Sequence, residues 1–128
     1  MKGSRNLMPL LAAFTIASSP AGSANLLERG VTFQQFGSGT SSCGTWTQAR
    51  RQPVRSYERE VNEAWVVGFL SGSNLIIVDQ FDTDILAHRD AQGLWAWIDN
   101  YCSAHPLTNI GTAANLLVRE LVPKGEPH

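Results

Sequence analysis

The spacing of apolar residues along the chain predicts helices, and the clearest of them lies within residues 90–107. Apolar side chains recur there at the three- and four-residue intervals that form one face of a helix. That face consists of Leu94, Trp97, Ile98, Tyr101 and Cys102. Asp90 is placed to cap the start of this helix, and Pro106 ends it because His105 is pushed out of helical geometry.

An earlier helix is predicted to begin at Ser56, whose hydroxyl can cap the first free backbone N–H groups. Its apolar residues occupy every side, which is typical of a central, buried helix. We expect core packing from Trp65, Gly68, Phe69 and Gly72. The two glycines would allow another helix to approach closely.

The end of this helix is less clear from the sequence. Residues 75–78 are apolar and could form a strand or the fraying end of the helix; we interpret them as an extended crossing. Glu63 precedes the apolar run, and Ser71, Ser73 and Asn74 interrupt it. We therefore predict no membrane span in the mature chain.

Two further helices complete the prediction. One runs from about Ser42 to Arg51 and is stopped by Pro53, and the other begins near Leu107 and ends close to Glu120. The fold class is therefore all-α, a small bundle of about four helices in one domain. We assign 42–123 to the helical domain, 25–41 to a flexible N-terminal lead and 124–128 to a C-terminal tail.

The first 24 residues have the pattern of a secretory signal peptide. Lys2 and Arg5 give a positive start, residues 7–17 a short apolar run, and small residues lead to cleavage after Ala24 or Ala21. The mature protein is therefore expected to be periplasmic or secreted.

Export changes the interpretation of the two cysteines, Cys43 and Cys102. In an oxidising compartment, two cysteines predict one disulfide, here joining the N-terminal region to the third helix. Two unpaired buried thiols are the alternative. The chain-entropy model assigns a disulfide closing so long a loop roughly 4 kcal/mol.

Charge excludes one class of partner. Of the 10 basic residues, removal of Lys2 and Arg5 leaves 8 against 11 acidic ones. An acidic domain of this kind is not expected to bind nucleic acid.

Candidate chemistry is sparse. No serine or cysteine stands in a recognisable pattern beside a base, so we do not expect an enzyme. The acidic connection 79–90 could attract Ca²⁺, but Leu86 and Ala87 break the EF-hand pattern, and a solvated loop is the simpler interpretation. We predict no metal and no cofactor.

The sequence supports a role in protein binding better than a role in catalysis or metal binding. Trp95 is two residues from Trp97 and faces the opposite side of the helix, with Asp99 one turn on. An exposed tryptophan can anchor a protein interface, although the N-terminal segment or the acidic connection could instead cover this one. A basic run offers a second candidate surface, formed by Arg50, Arg51 and Arg55. Glutamates interleave with it, and Arg59–Glu63 is a favourable helical pair on what could be a solvated face.

Three short motifs carry a resemblance to known proteins. They are Cys43-Gly-Thr-Trp46, the segment Val67-Gly-Phe-Leu-Ser-Gly-Ser-Asn74, and Asp90-Ala-Gln-Gly93 followed by Cys102. Together they span most of the mature chain. This pattern resembles the periplasmic acid-stress chaperones of the HdeA and HdeB family, and is similar to the related Tai-type immunity proteins.

The resemblance implies two functions. An HdeA-like chaperone would loosen when its 11 carboxylates protonate, leaving 8 Lys and Arg and 3 His charged, and would then bind unfolded periplasmic clients. An immunity protein would instead stay folded and bind one secreted effector. A second copy of the chain is a further candidate partner.

Overall fold

A computed structural model describes residues 34–124, which form four α-helices and one short 3-10 turn. The turn is Gly37–Thr40, and the helices are α1 (Cys43–Arg51), α2 (Tyr57–Phe81), α3 (Ala91–Ala104) and α4 (Ile110–Leu121). The all-α prediction is confirmed. The predicted signal peptide, residues 25–33 of the lead and residues 125–128 of the tail lie outside the described residues.

All four helices begin in the same way, with a side-chain oxygen that accepts from the third backbone N–H of the helix. The capping residues are Ser42, Ser56, Asp90 and Asn109. The caps at Ser56 and Asp90 are those predicted from the sequence. Helix α4 begins three residues later than Leu107, because Asn109 supplies the cap.

Helix α2 continues through residues 75–78, so the predicted extended crossing is wrong. Neither glycine nor proline occurs between Ser73 and Phe81, and the helix ends only at Asp82, which adopts left-handed geometry with φ 50°. Asn74 then holds the following connection against the helix. Its side chain accepts from Ile85 N at 2.9 Å and donates to Asp84 Oδ1 at 2.9 Å.

The core lies where the four helices meet. Its buried members are Cys43, Trp46, Val66, Leu70, Leu94, Ile98, Cys102, Ile110, Ala113 and Leu117. Cys43 and Cys102 form a disulfide at the centre of this cluster, with their Cα atoms 4.7 Å apart, which confirms the predicted bond. A disulfide is consistent with an oxidising, exported location.

The described part of the segment before α1 contacts the rest of the bundle, and the flexibility expected for the lead stays a prediction. Cys43 N donates to Thr108 O at 2.7 Å, and Ile110 N donates to Ser41 O at 2.9 Å. The 3-10 turn packs on α2 and α4. Here the indole of Trp65 covers Gly39 and donates to the carbonyl of Phe36 at 2.9 Å.

The structure corrects the packing role expected for Gly68 and Gly72. Both are exposed, and a Cβ added at either would meet nothing within 4 Å. The other residues expected in the core lie there or at its edge. Leu94 and Ile98 are buried, and the partly buried Trp65, Phe69, Trp97 and Tyr101 pack against the cluster.

Candidate functional site

Glu63 is the most unusual side chain in the described part of the chain, because it is a carboxylate on α2 with only 1% of its surface exposed. It shares the buried face of α2 with Val66 and Leu70. A buried charge is tolerated when it is paired and hydrogen-bonded, since it has lost its water. Glu63 therefore requires partners from neighbouring elements.

Three arginines supply those partners. Arg50 of α1 donates to Glu63 Oε1, Arg59 Nε donates to the same oxygen at 2.8 Å, and Arg55 Nη2 donates to Oε2 at 2.6 Å. Arg55 also pairs with the exposed Glu60 at 3.2 Å. The Arg59–Glu63 pair is present as the sequence indicates, but it is buried at one end rather than on a solvated face.

Asp99 of α3 extends this cluster. Its carboxylate accepts from Trp46 Nε1 at 2.8 Å, and from Arg50 Nε and Nη2 at 2.9 and 2.7 Å. Such forked pairing is among the strongest hydrogen-bonding arrangements in proteins. Arg50 consequently connects α1 to both α2 and α3.

The surroundings of Arg50 raise its pKa above the ordinary arginine value. The main cause is the hydrogen bond to Asp99; burial opposes it, and the hydrogen bond to Glu63 adds to it. The guanidinium carbon also lies 5.8 Å from the ring centres of both Trp46 and Trp95, within range of cation–π attraction. Arg50 is therefore a fixed positive charge inside the bundle.

Trp95 is part of this internal arrangement and does not form an exposed anchor. It is partly buried, packs against the core and donates from Nε1 to the backbone carbonyl of Glu63 at 3.2 Å. Trp95 is thus covered, but by α2 and not by the N-terminal segment or the acidic connection that the sequence suggested. An interface anchored on Trp95 would require this contact to break.

The candidate partner-binding residues thus divide into two groups. Arg50 and Asp99, like Trp95, are engaged inside the bundle, whereas Arg51 is exposed and Arg55 is about half exposed. Sequence reasoning missed Glu63 as the centre of the cluster. A detectable signal existed, because Glu63 is in helical phase with Val66 and Leu70.

A cleft of about 210 Å³ opens beside the cluster, between α1, α2 and α3. Its walls are formed by Thr47, Arg50, Arg51, Arg59, Asp99 and Ser103. We refer to it as the arginine cleft.

The acidic connection serves local structure. Asp84 Oδ1 accepts from Asn74 and from Leu86 N, and Asp90 caps α3. Among residues 34–124, no group of three or more His, Cys, Asp or Glu side chains is placed to hold a metal ion.

The outer side of α2 is apolar and exposed. Tyr57, Leu75 and Ile76 are 57–82% exposed, and Ala64, Gly68 and Gly72 lie between them along the helix. Within the described range, α2 has the length and composition of a membrane-spanning helix, with 22% of its most apolar stretch buried. Core helices of soluble proteins also meet these two criteria, so the absence of a membrane span in the mature chain stays a prediction.

No family model, curated protein or solved structure matches the chain. Function is therefore inferred from the contacts described above.

Proposed function

We propose that the chain is an exported, non-enzymatic protein-binding protein, periplasmic or secreted, that loosens in acid and binds unfolded clients. One observation carries this proposal: a buried carboxylate, Glu63, forms ion pairs with three arginines between the helices of the bundle. The resemblance to HdeA-type chaperones agrees with it. In this proposal the mature protein needs neither nucleic acid, nor a cofactor, nor a membrane span.

The acid response follows from charge. When the carboxyl groups of the cluster are all protonated in acid, Arg50, Arg55 and Arg59 remain close together without a compensating negative charge from it. Arginine keeps its proton throughout this range. The resulting repulsion acts between α1, α2 and α3, and separating them exposes the apolar core.

The disulfide limits how far the helices can separate when the bundle opens. Because Cys43 begins α1 and Cys102 lies near the end of α3, the two helices stay linked when their ionic contacts fail. An opened but tethered chain presents apolar surface to a client and returns to its fold when the carboxylates ionise again.

The test is light scattering by an acid-denatured client at about pH 2–3, where free carboxyl groups are protonated. We expect the protein to suppress aggregation there and not at neutral pH. A Glu63→Gln variant mimics protonation, so it should protect a heat-denatured client already at neutral pH. Near-UV circular dichroism showing lost packing in acid, together with unprotected clients, would refute the proposal.

A second function, an immunity protein, is favoured by the outer side of α2, which is exposed in the folded state. Exposed apolar patches of this kind mark binding surfaces, and no charged side chain lies among Ala64, Gly68 and Leu75. A secreted effector encoded next to this chain would be the partner. A Leu75→Gln substitution should weaken its binding in calorimetry without lowering the melting temperature.

The same variant tests for the remaining candidate partner, a second copy of the chain. A dimer formed through α2 would dissociate in the Leu75→Gln variant even without an effector present. Sedimentation of the wild type and the variant alone identifies it.

A further inference from the structure

We propose that the arginine cleft binds an oxyanion, either the carboxylate of an acidic side chain or inorganic phosphate. The cleft is built from three helices: Thr47, Arg50 and Arg51 come from α1, Arg59 from α2, and Asp99 and Ser103 from α3. This inference does not depend on the proposed function, because the cleft exists in the folded protein regardless of any client or effector.

The cleft contains donors that the ion cluster does not use. Arg59 bonds Glu63 through Nε, and its two Nη groups make no hydrogen bond within residues 34–124. Arg51 is exposed and forms no ion pair with the residues that the structure describes. A planar guanidinium matches the geometry of carboxylate and phosphate oxygens.

A buried hydroxyl supports the same conclusion. Thr47 Oγ1 is buried and has no hydrogen-bond partner among the described residues. Leaving a buried polar atom unpaired is costly, and such atoms in native structures call for an explanation. Thr47 and Ser103 both line the cleft, so an oxyanion bound there is a candidate acceptor for their hydroxyl groups.

The charge of the cleft favours an anion. Three arginines line it against one carboxylate, Asp99. Both oxygens of Asp99 already accept from Arg50, and one also accepts from Trp46. Glu63 and Asp99 pair with Arg50 and Arg59, so Arg51 is the arginine of the cleft whose charge no carboxylate of the described residues compensates.

The experiment is a nuclear magnetic resonance titration of the full chain at constant ionic strength. The two probes are inorganic phosphate and N-acetyl-glutamate amide. The indole N–H signal of Trp46 reports on the cleft because it donates to Asp99. The indole N–H of Trp65 is the internal reference, since it bonds Phe36 outside the cleft.

Variants make the test specific. Arg51→Gln removes an unpaired guanidinium, and Thr47→Val removes the unpartnered hydroxyl at nearly constant volume. Arg119→Gln is the matched control, because Arg119 lies in α4 and does not line the cleft. We expect Arg51→Gln to weaken binding about tenfold, the effect of one charge-assisted hydrogen bond, with a smaller loss for Thr47→Val.

Saturable shifts of Trp46 that weaken in Arg51→Gln and persist in Arg119→Gln support the site. Tighter binding of the glutamate probe identifies a protein carboxylate as the natural ligand, and tighter binding of phosphate identifies a free anion. Equal weakening in Arg51→Gln and Arg119→Gln would show only a general charge effect. That result, or an absence of saturation at millimolar concentrations, overturns the proposal.

Discussion

Arg50 and Asp99 are 49 positions apart in the sequence and are joined by a forked hydrogen bond between α1 and α3. The same carboxylate holds the indole of Trp46, the largest fully buried side chain in the described core. Asp99→Asn keeps the shape but removes the charge that Arg50 requires. We expect a loss of about 2 kcal/mol in the free energy of unfolding, measured by urea denaturation with tryptophan fluorescence.

Asp79→Asn is the control for this substitution. Asp79 is exposed on α2, so its neutralisation should change stability by less than about 0.5 kcal/mol. Equal losses in the two variants would mean that the Arg50–Asp99 contact contributes nothing specific.

Glu63→Gln should be more damaging, because it leaves three guanidinium groups beside a neutral, buried side chain. Removal of one partner from a buried ion pair typically costs about 3–5 kcal/mol. The matched variant is Glu58→Gln, which changes an exposed glutamate in the first turn of the same helix and should cost at most about 1 kcal/mol.

The raised pKa of Arg50 predicts how the stability of the fold changes at alkaline pH. Its pKa is raised, so the stability that its charge contributes is complete below the ordinary arginine pKa and is lost only in more extreme alkali. Arg50→Lys lacks the fork and titrates earlier. The stability gap between wild type and Arg50→Lys should be constant near neutrality and widen above about pH 10, as followed by urea midpoints.

Alanine substitutions at two glycines should change the stability of the protein in opposite directions. A Cβ on Gly39 would overlap the indole ring of Trp65, so Gly39→Ala should destabilise the protein by about 1–3 kcal/mol. Gly68 lies in an exposed helix with open space around it, so Gly68→Ala should stabilise by about 0.8 kcal/mol. Thermal melts of the two variants measure these changes in stability. A loss of stability in Gly68→Ala would show that another segment packs against this position.

Reduction of the disulfide should lower the free energy of unfolding by about 4 kcal/mol, given the separation of 59 residues between Cys43 and Cys102. Urea titrations with and without dithiothreitol measure this loss. A double variant with alanine at both positions should unfold as easily as the reduced wild type and should not respond to the reductant. A response in that variant would assign the effect to something other than the bond.

The sequence predicted what local chemistry determines. Ser56 and Asp90 cap their helices because a side-chain oxygen needs only the next three residues to do so. The disulfide was predicted from the presence of two cysteines in a chain expected to be exported. These inferences require no knowledge of how the helices are arranged.

The predictions that failed needed that knowledge. Gly68 and Gly72 have the spacing of a helix contact, yet which side of α2 faces the bundle depends on the position of Glu63. Trp95 is covered because Glu63 presents its backbone carbonyl to the indole. Residues 75–78 are helical although β-branched side chains are frequent there, since helix α2 meets no stop signal before Asp82.

The disulfide encloses α1, α2 and most of α3 in one covalent ring and leaves α4 outside it. Within residues 34–124, packing of the buried Ile110, Ala113, Ala114 and Leu117 and a few backbone hydrogen bonds hold α4 on the bundle. If α4 detached, the surface that it covers on the other helices would be exposed, while the disulfide-closed ring stayed intact. Native-state hydrogen exchange should accordingly find a subglobal opening that releases the amides of α4 before those of the other three helices.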